Sequence, residues 1–188
     1  MNHICHSLEA ESGFLFGRAE GIQQKELICK QLETCPVNTV LILNFEKVKF
    51  VDVSCADEVV TKVVGRIQSG EFPNRFIILD GVKPQHQENI EMSLSIAKKS
   101  VFARQDGEWT ALGELSQSLR DIADLLVQHG SITARQLFEL LDFDNINESS
   151  TKLCDLYKHC LIGREPDRQP AKGGGTQFRY VSLMDQYK

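Results

Sequence analysis

The most constraining feature of the sequence is an abrupt change of hydrophobic pattern near residue 52. Residues 40–43 form an unbroken apolar run, which is typical of a strand covered on both faces in a parallel sheet. After the break, apolar residues recur at steps of three and four, which predicts a helix with one buried face over residues 56–68; they are Ala56, Val59, Val60, Val63, Val64 and Ile67. The junction is therefore predicted to be a strand-to-helix turn.

Polar residues occupy this junction. Ser54 and Asp57 stand at the spacing of a capping box, with a shorter acid than usual, and Asp52 is an alternative N-cap. Either arrangement satisfies backbone N–H groups that the first turn of a helix leaves without partners.

The surrounding residues extend this pattern into an α/β unit. An amphipathic helix is predicted before the apolar run, through Ile22, Leu27, Ile28 and Leu32. After the central helix, "FIILD" predicts a second buried strand, and two such strands joined by a helix form a right-handed βαβ unit. The segment "VFARQDGEWTAL" predicts a hairpin, because Asp-Gly suits a type I′ turn. The start, "MNHICH", is expected to be a frayed end rather than a metal site.

From Leu112 the pattern changes to closely spaced helices. The first predicted helix ends at Gly130, which suits the C′ position, and the second opens with Thr133 and Gln136 at capping-box spacing. The second helix is expected to bury Leu137, Phe138 and Leu141, and the third to bury Leu153, Leu156, Tyr157, Cys160 and Leu161. Two alternating segments then predict paired strands around a loop rich in glycine and basic residues.

Composition narrows the range of functions. The chain has 188 residues and a net charge of -5, which argues against a protein that coats nucleic acid indiscriminately. Neither an apolar span nor a signal segment is visible, and the six cysteines are scattered, so we expect a cytoplasmic protein without a metal or cofactor. No catalytic motif and no nucleophile beside a base is recognisable, so we do not expect an enzyme.

Residues 113–183 resemble the winged helix-turn-helix of bacterial transcriptional regulators. The likeness lies in "KLCDLYKHCLIGRE" and in the returning strand "GGGTQFRYVSL". The resemblance implies that the third helix and the wing bind duplex DNA and that the protein is a homodimer. The candidate DNA-binding residues are Thr151, Lys152, Asp155, Lys158, His159, Arg168 and Lys172. Residues 152–182 carry a local excess of positive charge, whereas the acids on the third helix do not suit phosphates.

Residues 14–104 resemble the STAS-like domain of uncharacterised bacterial proteins. The likeness lies in "GRAEGIQQKELICKQL", "VLILNFEKVKFVDVSCADEVV" and "RFIILDGV". In related anti-sigma-factor antagonists the turn carries a phosphorylatable serine directly after the aspartate, but this chain has Val53 there, followed by Ser54. The resemblance therefore implies a protein-docking turn at Asp52, Ser54 and Asp57 rather than a phosphorylation switch.

The sequence thus predicts two domains. Residues 1–111 form an α/β STAS-like domain, and residues 112–188 form an α+β winged helix-turn-helix domain. The expected function is a DNA-binding transcriptional regulator with a sensing or docking module, without contact to a membrane. The alternative is an interaction switch that binds no DNA and resembles anti-sigma-factor antagonists, with the winged helix as a second docking surface.

Overall fold

The chain is a mixed α/β protein made of two compact units. The computed structural model describes residues 1–105, 107–141, 143–167 and 177–184. The first unit spans Met1–Leu115 and the second Ser116–Lys188. A parallel-rich sheet organises the first unit and a small antiparallel sheet the second.

The first unit alternates strands and helices along most of its length. Its strands are β1 (Asn2–Ser7), β2 (Phe14–Leu15), β3 (Thr39–Asn44), β4 (Phe50–Val51), β5 (Arg75–Asp80), β6 (Ser100–Gln105) and β7 (Glu108–Gly113). Its helices are α1 (Gly17–Thr34), α2 (Val53–Ala56), α3 (Lys62–Gln68) and α4 (Pro84–Ile96), with a 3-10 turn at Glu11–Gly13 and a π-helical segment at Asp57–Thr61. The five-stranded sheet has the order β1-β3-β5-β6-β7, and β2 pairs with β4 separately.

The apolar run forms the interior of this sheet. β3 lies between β1 and β5 and is parallel to both, with Leu41 opposite Ile4 on one side and Ile77 on the other. Val40, Leu41 and Leu43 are completely buried. The prediction of a strand covered on both faces is confirmed, since a central parallel strand needs apolar side chains in both directions.

The predicted central helix is confirmed, but it starts earlier and contains a π-helical segment. Helical geometry begins at Val53 and continues through α2, the π segment and α3 without a non-helical residue. Val59, Val60 and Val63 are completely buried, as their spacing predicts. A π-helical insertion shifts the side chains that follow it around the helix axis, so the period of 3.6 does not hold across the whole segment.

Two expectations for the amino-terminal part of the chain are wrong. In α1, Ile28 and Leu32 are buried, but Ile22 is 37% exposed and Leu27 is 55% exposed. The buried stripe instead passes through Gly21, where an added Cβ would lie 2.8 Å from Cβ of Glu58. The first residues are not a frayed end either, because β1 pairs with β3 along its whole length.

The second unit places helices around a three-stranded sheet. Its helices are α5 (Gln117–His129), α6 (Ala134–Leu140) and α7 (Ile146–Lys158), and its strands are β8 (Ser131–Thr133), β9 (Ile162–Pro166) and β10 (Phe178–Ser182). The sheet order is β8-β10-β9, and both pairings are antiparallel. The paired strands β9 and β10 are as predicted, whereas β8 was not expected.

The local signals of the second unit are largely confirmed. Gly130 follows α5 with a φ of 73°, the left-handed conformation that glycine adopts without strain. Thr133 accepts a hydrogen bond from the backbone N–H of Gln136, whose side chain accepts from the backbone N–H of Thr133, so the predicted capping box forms. Phe138 is an exception, because it is 36% exposed while Leu137 on the same helix is completely buried.

Candidate functional site

Asp52 fixes the geometry of the strand-to-helix turn in the first unit. Its Oδ1 accepts a hydrogen bond of 2.7 Å from the backbone N–H of Cys55, which caps α2. Its Oδ2 accepts one of 2.9 Å from the backbone N–H of Gly17, at the start of α1. One carboxylate thus serves the first turns of two helices. Asp52 is the N-cap, so the capping box proposed for Ser54 and Asp57 is wrong.

Ser54 and Asp57 therefore do not form the N-cap of the helix. Ser54 is exposed one residue beyond the start of α2. Asp57 lies 3.4 Å from Nζ of Lys62 and 4.0 Å from the guanidinium of Arg18. The carboxylate of Asp57 is consequently part of an ion-pair cluster between α1 and the central helix rather than a cap.

Large aromatic side chains lie exposed beside this turn. Phe16, the residue before α1, is 65% exposed, and Phe14 is 48% exposed. The ring of Phe16 stacks on that of Phe50 with 6.1 Å between centroids. We call Phe14, Phe16, Phe50 and Ser54 the turn surface. Its exposed rings were not predicted from the sequence.

A buried carboxylate next to the turn was also missed. The side chain of Glu58 is only 2% exposed, and it accepts hydrogen bonds from Lys25 and Lys62, with Arg18 at 3.4 Å. Burial raises the pKa of Glu58, but the hydrogen bonds from the two lysines outweigh burial and leave that pKa below its ordinary value. Glu58 therefore stays ionised and holds α1 to the central helix.

A polar cavity of about 420 Å³ opens at the carboxyl ends of the parallel strands. Asn44 and Asp80, the last residues of β3 and β5, line it together with Arg104 of β6. Arg104 donates to both carboxylate oxygens of Asp80, at 2.8 and 3.0 Å, and lies over the ring of Trp109. This edge is where α/β sheets commonly bind ligands, but here the acid and the base already satisfy each other.

The candidate DNA-binding residues of the second unit lie mostly on α7. Thr151 is exposed, and its hydroxyl donates to the backbone carbonyl of Asn147 within the helix. Lys158 lies 3.3 Å from Asp155, so these two opposite charges form a pair. Lys152 is half-buried, and His159 is the C-cap of the helix.

Two further candidates, Arg168 and Lys172, lie outside the described residues. The described part of α7 thus brings five of the seven candidates onto one helix and its C-cap: Thr151, Lys152, Asp155, Lys158 and His159. The pairing of Asp155 with Lys158 could not be read from the sequence, although their i,i+3 spacing is compatible with it.

A different cation, Arg164 on β9, contacts aromatic rings from two other elements of the unit. Its guanidinium lies 4.4 Å from the ring centroid of Tyr157 on α7 and 4.3 Å from that of Phe178 on β10. In the sequence, Arg164 is noticeable only as one of the cations that give residues 152–182 their excess of positive charge. The signal for its position was the cross-strand pairing of two alternating segments, which brings Arg164 opposite Tyr180.

Comparisons with protein families, with curated proteins and with solved structures find no match for this chain. In the part of the chain that the structure describes, no helix is both long and apolar enough to cross a membrane. The same residues contain no cluster of three or more histidine, cysteine or acidic side chains arranged to hold a metal ion.

Proposed function

We propose that the chain is a transcriptional regulator whose second unit is a winged helix-turn-helix that binds duplex DNA. The observation that supports this proposal most is the order of elements in that unit: α5, β8, α6, α7 and the antiparallel pair β9 and β10. In a winged helix-turn-helix the third helix enters the major groove, and the strand pair flanks it. α7 and the β9–β10 ribbon occupy these positions in the chain.

The side chains of α7 suit this role. Leu153 and Leu156 are completely buried, which leaves Thr151 and Lys158 on the exposed side of the helix. Lysines and a threonine are common contacts to phosphates and base edges. Because Lys158 is paired with Asp155, we assign the main phosphate contact of α7 to Lys152, for which the described residues hold no ion-pair partner.

We propose further that the first unit is a STAS-like module that docks a protein partner at the turn surface. Phe14 and Phe16 expose large apolar rings next to the exposed Ser54. Exposed apolar groups that lie together commonly mark interaction sites. A homodimer is part of this proposal, because regulators of the helix-turn-helix class commonly contact two half-sites.

The alternative is that the second unit docks a protein and binds no DNA. The observation that favours it is a set of exposed apolar side chains at the end of α6 and the start of α7. Phe138 is 36% exposed, Leu140 51% and Ile146 39%. In addition, Asp155 carries negative charge on the helix that would face the phosphates.

A salt-titrated binding assay separates the two functions. The full chain is mixed with a fluorescent duplex of random sequence, and anisotropy is followed as salt rises. A phosphate-contacting protein weakens steeply, because bound counterions are released from DNA. We expect Lys152→Glu to weaken binding at least tenfold. The control is Lys30→Glu, an equal charge reversal on an exposed position of α1.

Equal affinity of wild type and Lys152→Glu would contradict the assignment of α7. If the wild type binds no duplex even at low salt, the regulator proposal fails, and the docking alternative is favoured. The control should bind as the wild type does, since α1 lies in the first unit.

A further inference from the structure

Arg164 is held in an unusual way for an exposed arginine. Its guanidinium lies over the ring of Tyr157 at 4.4 Å and over the ring of Phe178 at 4.3 Å, measured to the ring centroids. The first ring belongs to α7 and the second to β10. Cation–π contacts from two elements therefore fix this cation at the place where the helix and the ribbon meet.

The strand register explains why these groups come together. Arg164 lies directly opposite Tyr180 in the β9–β10 pair. Phe178 and Tyr180 are two residues apart on β10, so they share one face of the strand. On that face the hydroxyl of Tyr180 lies 3.2 Å from Sγ of Cys154 on α7. This face of the ribbon is thus the one that packs on α7.

Tyr180 supports Arg164 as a neutral neighbour. Burial, together with the contact with Cys154, raises the pKa of Tyr180 to about 12. The phenol consequently stays protonated at neutral pH and can accept a hydrogen bond from Arg164 without cancelling its charge. The tyrosine orients the guanidinium and does not act as its counterion.

Among the residues that the structure describes, two cations close to Arg164 in the chain or across the ribbon have ion-pair partners. Arg179 lies 3.3 Å from Asp167, and Lys158 lies 3.3 Å from Asp155. For Arg164 the residues described by the structure provide no ion pair. The rings contact the π-face of the guanidinium, whereas its N–H groups lie in the guanidinium plane and form a planar fork suited to phosphate.

We propose that Arg164 is a phosphate-binding residue at the junction of α7 and the β9–β10 ribbon, and that its ligand is a phosphodiester of duplex DNA. The proposal rests on the proposed function of the second unit and adds a contact on the ribbon to those of α7. The aromatic rings restrict the arginine before binding, so less conformational entropy is lost when the phosphate is bound.

The test compares variants of the full chain in the same anisotropy assay with a fluorescent random duplex. Arg164→Ala should bind about tenfold more weakly, because a charge-assisted hydrogen bond is lost. The slope of log affinity against log salt should become less negative by about one unit. Arg120→Ala, which removes one positive charge from α5, is the control for a general loss of charge.

Two more variants separate charge from geometry. Arg164→Lys keeps the charge but lacks the planar fork, so we expect the salt slope to be retained while affinity falls several-fold. Tyr157→Leu keeps Arg164 but removes one covering ring, and it should likewise lower affinity without changing the slope. Circular dichroism and thermal unfolding identify any variant that fails to fold. If Arg164→Ala does not fold, the affinity of Arg164→Lys is compared with that of Arg120→Ala instead.

The outcomes distinguish this proposal from the function it rests on. If the wild type binds duplex steeply with salt and Arg164→Ala binds equally well, the role of Arg164 is refuted, while the regulator proposal stands. If the wild type binds no duplex, both fail. A third measurement determines the affinity for polyglutamate, used as a competitor of the duplex. Should Arg164→Ala lose affinity for polyglutamate by the same factor as for duplex, the site recognises carboxylates as well, and the phosphodiester assignment is overturned.

Discussion

The buried Glu58 offers a sharp test of what holds the first unit together. We consider Glu58→Gln, which keeps the shape of the side chain but removes its charge. The exposed fractions of the side chains are 2% for Glu58, 20% for Lys25 and 40% for Lys62. Breaking a fully buried ion pair costs about 3–5 kcal/mol, and a hydrogen bond to a charged group contributes about 1.5–3 kcal/mol. Because both lysines keep some contact with water, we expect a loss of about 2 kcal/mol in the free energy of unfolding.

Urea denaturation followed by tryptophan fluorescence measures this loss. The chain contains one tryptophan, Trp109 on β7, so the signal reports the first unit. The matched control is Glu71→Gln, because Glu71 pairs with Arg66 but its side chain is 41% exposed. We expect the control to change stability little, since ion pairs at the surface contribute little.

The difference in unfolding free energy between wild type and Glu58→Gln should also depend on pH. The folded-state pKa of Glu58 lies below its ordinary value, so its contribution to stability is present above the unfolded-state pKa of about 4.3. That contribution is lost as pH falls through the folded-state pKa. The difference between wild type and Glu58→Gln should therefore be full at pH 7 and shrink in acid. A variant as stable as the wild type at pH 7, or a difference that does not shrink in acid, would refute the reasoning.

Two further predictions concern the packing around the turn. Gly21→Ala should destabilise the first unit by about 1–3 kcal/mol, because the new Cβ would lie 2.8 Å from Cβ of Glu58. This clash outweighs the better helix propensity of alanine. Urea denaturation monitored at Trp109 measures the change, and a stabilised variant would contradict the prediction. Asp52→Ala should cost about 2 kcal/mol, since it removes the hydrogen bonds to the backbone of Cys55 and Gly17; a thermal midpoint equal to that of the wild type would show that the two caps contribute nothing.

The core of the first unit was predictable because it carries strong local patterns. Residues 40–43 are apolar in succession, as a central parallel strand requires, and the valines after residue 56 repeat with a helical period. The capping signals at Thr133 and Gly130 were equally local, and the structure confirms them. Each of these features depends on residues close together in the sequence.

The missed features depend on contacts between distant residues. β1 contains polar residues, and its stability comes from backbone pairing with β3, which composition does not reveal. Ile22 and Leu27 suggested the wrong stripe of α1, because the close approach at Gly21 decides which side of the helix faces the core. Glu58 resembles a surface acid in the sequence, and only the fold brings Lys25 to it.

For the candidate DNA-binding residues, the sequence predicted exposure on one helix but not the contacts between elements. Helical period placed Thr151 and Lys158 on the exposed side of α7. It did not reveal that Asp155 would pair with Lys158, nor that the ribbon would bring Arg164 into contact with two aromatic rings. A helical projection describes one element, whereas the position of Arg164 depends on α7, β9 and β10 together.

The most direct test of the central claim is hydrogen exchange of the full chain with and without a random duplex, resolved by mass spectrometry. If the second unit binds DNA through α7 and Arg164, peptides covering residues 146–167 should exchange more slowly when duplex is present, and this protection should disappear at high salt. Peptides covering residues 14–57, which include the turn surface, should be unchanged. Protection confined to residues 14–57, or no protection anywhere at low salt, would contradict the claim that the second unit is the DNA-binding one.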